Sequence, residues 1–325
     1  MDIFGINIWA LLGFFFAAYA VVGNDALQTL GTFINSNQKL PWWATFLFAT
    51  TVLVVVFGYG YVIYEGDPSW GRLSDLKKYP VFEVQWYHVL PAVMLLVVTA
   101  FGIPVSTTFM ILTIFASLAG LQGMLIKSLQ AYAFAFMSGL LLYAILAPTV
   151  ERHFLKTPND AQKPVWILLQ WCTTAYLWAA WLIQDFANIY IFLPRELTHT
   201  QAALSLLIIV VLLMITFIAK GGPVQKILRT KSNVIDIRSA TIIDFSYASV
   251  LSFFAYLSNS PMSTTWAFLG LIAGREFAVA TIDKIRSPGA TLKIVASDAG
   301  KATLGLVISV VMAVGLPRLA QALSG

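Results

Sequence analysis

Hydroxyls and carboxylates set inside apolar runs are the groups with which this chain can do chemistry. Pro104-Val105-Ser106-Thr107-Thr108 and Pro261-Met262-Ser263-Thr264-Thr265 are two copies of one unit, 157 positions apart. In each, a proline interrupts a hydrophobic run and three hydroxyls follow. Proline can open a helix at little cost, because its missing N–H would be unpaired there anyway. The N–H groups after it stay free, and the helix dipole places partial positive charge at the tip. Ser106, Thr107, Thr108, Ser263, Thr264 and Thr265 add rotatable donors. Two such tips facing one another would surround a tetrahedral oxyanion without a lysine or arginine. A single Ser or Thr after Pro more often just caps a helix. Two copies, each midway through an apolar run, favour a binding role.

The carboxylates recur in the same manner. Asn24-Asp25 is followed by Gln28, and Gln184-Asp185 by Asn188, with 160 positions between the two aspartates. Ionised Asp inside a membrane span is costly and functional by default. Asp25 and Asp185 could cap a following half-helix, bind a coupling cation or accept a proton from the substrate. Asn24, Gln28, Gln184 and Asn188 offer carbonyl oxygens that, with unwound backbone, suit a hard cation such as Na+. Cys172 is the single cysteine, which excludes an intramolecular disulfide and a cysteine metal cluster. In its apolar segment it reads as an inert buried thiol. His88, His153 and His199 lack metal-ligand spacing and are assigned no function. Arg275 and Glu276 read as a local ion pair or a snorkelling arginine ahead of a gate. No nucleophile constellation or nucleotide loop is present, so neither an enzyme nor a cofactor is expected.

The elements that must position these groups are membrane spans. The chain is 59% hydrophobic and 11% charged, with mean hydropathy +0.80, far from soluble composition. Leu40–Ile63, Met124–Pro148, Gln201–Ala219 and Leu304–Val314 with its flanks are the plainest spans. Met1–Asn7 lacks a basic n-region, so no cleavable signal is expected. The +5 net charge sits mostly in short loops, where it orients the protein and calls for no nucleic acid.

Repetition of both motifs divides the chain into a first half, 1–150, a linker, 151–163, and a second half, 164–325. In each half a polar break at the Asp is followed by a span, a hairpin with the Pro-x-Ser-Thr-Thr tip, and a last span. The arms are Trp86–Phe101 and Val105–Ala119 in the first half, and Thr241–Asn259 and Met262–Ala280 in the second. Loop Tyr64–Gln85 carries three basic and four acidic residues, whereas Lys220–Arg238 carries five basic and one acidic. The positive-inside rule puts these equivalent loops on opposite faces. The expected fold is therefore an all-α polytopic membrane protein of two inverted-topology repeats, with broken helices and re-entrant hairpins. It would lie in a bacterial-type inner or plasma membrane with both termini outside, and a homodimer is an admissible assembly.

These residues resemble the inorganic phosphate transporters of the PiT type. That family carries a duplicated Gly-Ala-Asn-Asp signature and a duplicated Pro-Val-Ser-Thr-Thr signature. Gly23-Asn24-Asp25, with Gln28 and Gly31-Thr32, looks like the first of these. Gln184-Asp185-Phe186-Ala187-Asn188, with Pro194 downstream, looks like its degraded second copy. The resemblance covers both halves and implies symport of phosphate with Na+ or H+. Asn24, Asp25, Asp185, Asn188 and both Ser-Thr-Thr groups would then lie at the substrate and cation sites. Gln28 and Gln184 stand where the family has asparagine. Phe109 and Trp266 stand where histidine often follows. Sulfate or another oxyanion is the alternative cargo, and an anion channel is the alternative class.

Overall fold

The computed structural model describes residues 2–3, 5–37, 39–100, 105–146, 149–150, 152–157, 160–161, 163–219, 236–257, 259–282 and 287–324. Pro104 and the basic loop 220–235 lie outside the described residues, as do the side chains of Asn24, Asp25 and Gln28. A two-residue ladder, β1 (Asp2–Ile3) with β2 (Ile6–Asn7), precedes a succession of helices. Helix α1 (Ile8–Ala20) runs through a π-helical turn, Val21–Asp25, into α2 (Ala26–Ser36). Helices α3 (Trp42–Ile63), α4 (Trp86–Ala100), α5 (Thr107–Leu112) and α6 (Leu118–Leu146) complete the first half. The short α7 (Arg152–Lys156) leads to α8 (Pro164–Tyr190), α9 (His199–Ile218), α10 (Ile237–Leu257), α11 (Thr264–Ile282) and α12 (Pro288–Ser324). Among the described residues, α3, α6 and α8 to α12 are long and apolar enough to cross a membrane. Large apolar side chains such as Val55, Val62, Ile145 and Leu207 face outward. This is an integral membrane protein built of helices.

Hydrogen bonds between loops define the two ends of the bundle. At one end Asn7 Nδ2 donates to Glu83 Oε1 (3.1 Å), Ser117 N to Lys78 O (2.8 Å) and Leu197 N to Gly66 O (2.9 Å). At the other, the Arg238 guanidinium donates to Phe154 O (2.7 Å) and Thr157 Oγ1 (3.1 Å). The pair α4–α5 thus enters and leaves at the first end, and α10–α11 at the second.

Helices α6 and α11 run side by side in the same direction, and glycines let their backbones meet. A Cβ on Gly270 would strike Tyr132 O, one on Gly274 would strike Phe136 O, and one on Gly139 would strike Leu271 O. Within lipid no hydrophobic drive pulls helices together, so close approach of small residues supplies the packing instead. Helix α12 backs the other hairpin in a similar way. Gly305 admits Val105, and Ser309 Oγ lies 3.7 Å from Met110 Sδ.

Helix α8 passes through the middle of the bundle. Trp178 Nε1 donates to Ala49 O (3.0 Å), Asn37 Nδ2 to Gln170 Oε1 (3.1 Å) and Thr174 Oγ1 to Asp244 Oδ2 (2.8 Å). These bonds tie it to α3, to the end of α2 and to α10, and they supply buried polar atoms with partners away from water.

Several expectations are corrected. Gln184–Asn188 does not interrupt α8, which continues to Tyr190. No proline or glycine falls there, and Asn188 Nδ2 donates to Asp185 Oδ1 one turn back, so the polar side chains are accommodated inside the helix. The first Asp segment is widened by a π turn, a local feature common at functional sites, with helix on both sides. The second arm of the first hairpin ends at Leu112, and α6 begins at Leu118, because Ser117 Oγ accepts from Gly120 N (3.2 Å) and caps it. Cys172 is exposed on the outer face of α8. The expectation of a buried thiol is therefore corrected.

Replacing Gly274 with leucine should force α6 and α11 apart, since the obstructing atoms are backbone, and lower stability by about 2–3 kcal/mol. Gly300→Ala, where a Cβ meets nothing within 4 Å, should leave stability unchanged or raise it by about 0.5–1 kcal/mol. Thermal unfolding of the two purified variants in detergent checks the contrast.

Candidate functional site

Each hairpin tip opens its returning helix with a serine cap. Ser106 Oγ accepts from Phe109 N (3.2 Å) at the start of α5, and Ser263 Oγ accepts from Trp266 N (3.1 Å) at the start of α11. The expectation of free N–H groups therefore holds only in part. The caps occupy the third N–H of each helix, and Ser263 N itself donates to Ser128 Oγ on α6 (2.8 Å). The N–H groups of the two threonines after each cap lie ahead of the helical ladder. With six residues α5 carries a short dipole, whereas the nineteen-residue α11 carries a fuller one.

The two tips touch. Thr108 Oγ1 donates to Met262 O (3.0 Å) and accepts from Asn188 Nδ2 (3.3 Å). Behind them the Phe109 and Trp266 rings, at matching positions after the triads, lie 5.3 Å apart at 58°. On α8 the Asp185 carboxylate accepts from Asn188 Nδ2 (2.8 Å) and lies 3.5 Å from Thr264 Oγ1, while Tyr247 OH donates to Thr264 O (3.0 Å). Asp185, Asn188, Thr108 and Thr264 form one connected polar group. All six triad residues, Asp185 and Asn188 are at most 2% exposed, so this conformation is closed.

Gln184 turns toward α10 and donates Nε2 to Leu251 O (3.3 Å). Its Oε1, the Oδ1 of Asn188 and the Oγ1 of Thr265 are buried with no hydrogen-bond partner among the described residues. A buried acceptor left unpaired costs about 1–3 kcal/mol. Two of these oxygens are on α8, in the residue before Asp185 and one turn after it, and carbonyl and carboxylate oxygens are the donor type that a small hard cation takes. The corresponding groups of the first half, Asn24, Asp25 and Gln28, are side chains outside the described residues.

Sequence reasoning missed the cations. Arg72 was legible only as part of a polar loop, yet that loop folds into the protein. Asp67 Oδ1 accepts from Ser69 N (2.7 Å) and its Oδ2 from Gly71 N (3.2 Å), while Gly66 and Gly71 take positive φ (100° and 66°). Trp70 stacks on Tyr59, with ring centroids 5.2 Å apart. Arg72 ends 4% exposed, its Nε donating to Ile183 O at 2.6 Å, two residues from Asp185. Burial pulls the guanidinium down to about 10, and the nearby Tyr64 and Asp185 oppose that fall, so it is cationic at neutral pH. Lys127 on α6 donates Nζ to Ser260 O (2.6 Å) at the foot of the second tip. A lysine inside an apolar run was the available signal for it. The tips thus have basic residues close by, contrary to expectation.

The remaining candidates have structural surroundings. Arg275 lies 5.2 Å over the Tyr143 ring. His88 Nδ1 accepts from Gln85 N (2.9 Å), and His199 Nδ1 lies 2.9 Å from Tyr61 OH.

Neither a protein-family model nor a curated protein matches the sequence. In fold the chain is similar to a solved structure of a sodium-dependent phosphate transporter, with TM-score 0.62 and 14% identity over 95% of this chain and 96% of that one. At that identity the likeness shows a common helical membrane fold along nearly the whole of both chains. It agrees with the resemblance of the motifs to the PiT type.

Thr108→Val should leave Met262 O and the Asn188 carboxamide short of a partner, lowering stability by about 1–3 kcal/mol. Thermal unfolding measures it, and a change below about 0.5 kcal/mol would show that the tips are not joined through this hydroxyl.

Proposed function

We propose that the chain is a cation-coupled symporter of inorganic phosphate working by alternating access, with Na+ or H+ as coupling ion. The observation that carries this is the closed polar group in which Asp185 and Asn188 of α8 join Thr108 and Thr264 of two hairpin tips. Sodium-dependent phosphate transport is what the structural neighbour is named for, and its fold supports bringing that activity here. The order of elements supports two inverted repeats, 1–150 and 164–325, since the hairpins enter from opposite ends. Transport sites in such architectures lie between the repeats near mid-membrane. The bias of basic residues toward the end with loop 220–235 supports a cytoplasmic placement of that end, with both termini outside.

In this mechanism Ser106, Thr107, Thr108, Ser263, Thr264 and Thr265 form the substrate cradle. The serines chiefly hold the tips in shape, and the threonines offer hydroxyls and leading N–H groups to the anion. Asp185 with the carbonyls of Gln184 and Asn188 takes the coupling cation, and Asn24, Asp25 and Gln28 have the equivalent role in the first half. Phosphate near neutral pH keeps a proton that it can donate to a carboxylate beside it, whereas sulfate has none and is repelled. The contact of Thr264 with Asp185 therefore favours phosphate. The tilted Phe109–Trp266 pair favours the second reading, a permease for sulfate or another oxyanion, because it puts apolar rings where phosphate carriers of the resembling family often have histidine.

Uptake of labelled phosphate into proteoliposomes, with and without a Na+ or proton gradient and with sulfate as competitor, tests the proposal. Gradient-driven uptake that sulfate does not suppress is expected. Thr264→Ala should raise KM about tenfold, which is about 1.4 kcal/mol of binding, and Asp185→Asn should abolish the cation dependence. Uptake indifferent to both gradients would rule out symport, and equal uptake of unrelated anions would indicate a channel.

A further inference from the structure

A buried guanidinium that the mechanism above does not use stands beside the site. Arg72 is nearly sealed from solvent, and its Nε is committed to Ile183 O. Its Nη1 is buried with no hydrogen-bond partner, and no carboxylate is hydrogen-bonded to Arg72 among the described residues. Arg72 lies within electrostatic reach of both Asp185 and Lys127. Both of those residues touch the second tip, Asp185 at Thr264 and Lys127 at Ser260. Lys78, from the same loop as Arg72, reaches Ser260 Oγ at 3.5 Å. Gly71, the residue before Arg72, faces Asn259, whose Nδ2 would lie 3.8 Å from a Cβ there. The loop and the second tip are therefore adjacent, and Arg72 is on the side where they meet.

The loop is built to hold that arginine in place. The Asp67 carboxylate grips the Ser69 and Gly71 N–H groups on the approach to it. Gly60 leaves room for the Trp70 ring, and the left-handed φ of Gly71 (66°) turns the chain inward at the next residue. A guanidinium fixed in this way, removed from water and keeping an unfilled N–H, matches an oxyanion in planarity and charge better than a flexible lysine does.

We propose that Arg72 is a substrate-binding residue, the fixed counter-charge that recruits a tetrahedral oxyanion to the second tip from the side of loop 64–85. The inference rests on the oxyanion transport proposed above and adds a residue that the duplicated motifs do not contain. With Arg72 beside Asp185, the anion arriving at Ser263, Thr264 and Thr265 does not meet an uncompensated carboxylate. Because burial lowers the guanidinium only to about 10, it keeps its charge throughout the neutral range.

The test measures KM and kcat for the anion that the wild-type protein carries in proteoliposomes, phosphate or sulfate, in the wild type, Arg72→Gln and Arg72→Lys. Arg72→Gln should raise KM ten- to a hundredfold. Arg72→Lys, which keeps the charge but loses the planar fork, should raise it three- to tenfold. A purely structural arginine would instead lower kcat or the amount of folded protein and leave KM within twofold, and that outcome overturns the proposal. Should Arg72→Gln fail to fold, Arg72→Lys decides alone by the same twofold criterion. Wild-type protein that carries neither anion would defeat the proposed function itself, which separates that failure from this one.

Discussion

A carboxylate inside an apolar bundle must be met by donors, and Asp185 gathers its surroundings from distant parts of the chain. Asn188 comes from the next turn of its own helix, Thr264 from the second hairpin and Arg72 from a loop more than a hundred residues earlier. Leaving such a charge uncompensated in lipid would cost several kcal/mol. The geometry of the hairpin, the inward fold of loop 64–85 and the unbroken course of α8 are each answers to that one demand. Thr108 extends the group to the other tip through Asn188, so the two halves of the chain share a single polar centre.

The tips can occupy the interior only because other helices support them. For the second tip the support is α6, where Gly139 of α6 with Gly270 and Gly274 of α11 removes the side chains that would hold the two backbones apart, and where Ser128 fixes the N–H of Ser263. For the first tip it is α12, through Gly305 and Ser309. Each hairpin is thus backed by the last long helix of the other half. This exchange ties the halves together alongside an apolar core that also crosses between them, where Phe57 of the first half meets Phe186 and Tyr190 of the second.

Much of this was legible in the sequence where a residue type is rare in its surroundings. Proline and three hydroxyls inside an apolar run marked both tips, and Asp185 with its neighbouring amides marked the centre of α8. Helix ends and breaks were less legible. Gln184–Asn188 looked like an interruption because polar residues in a span suggest one, but a side-chain bond from Asn188 to Asp185 satisfies them within the helix. The brevity of α5 depends on the cap at Ser117, whose hydroxyl also donates to Lys77 O in another loop, a contact no local pattern reveals. Arg72 was hidden for the same reason. Its loop is as polar as an exposed one, and only Asp67, Gly66 and Gly71 acting together turn it inward.

The hairpins are unequal, and that inequality bears on how such a molecule can cycle. One returning arm is the six-residue α5, about 9 Å long, and the other is the nineteen-residue α11, about 28 Å long and fused by glycine contacts to α6. The short arm is buried along its whole length, packed by α4, α8 and α12. A long arm welded to its neighbour can move only with that neighbour, as one slab. In the alternating access proposed above, arms so unequal in length and support would give the two half-turnovers separate barriers, so the rates of loading and release need not mirror one another even where the chemistry at the centre is nearly symmetric.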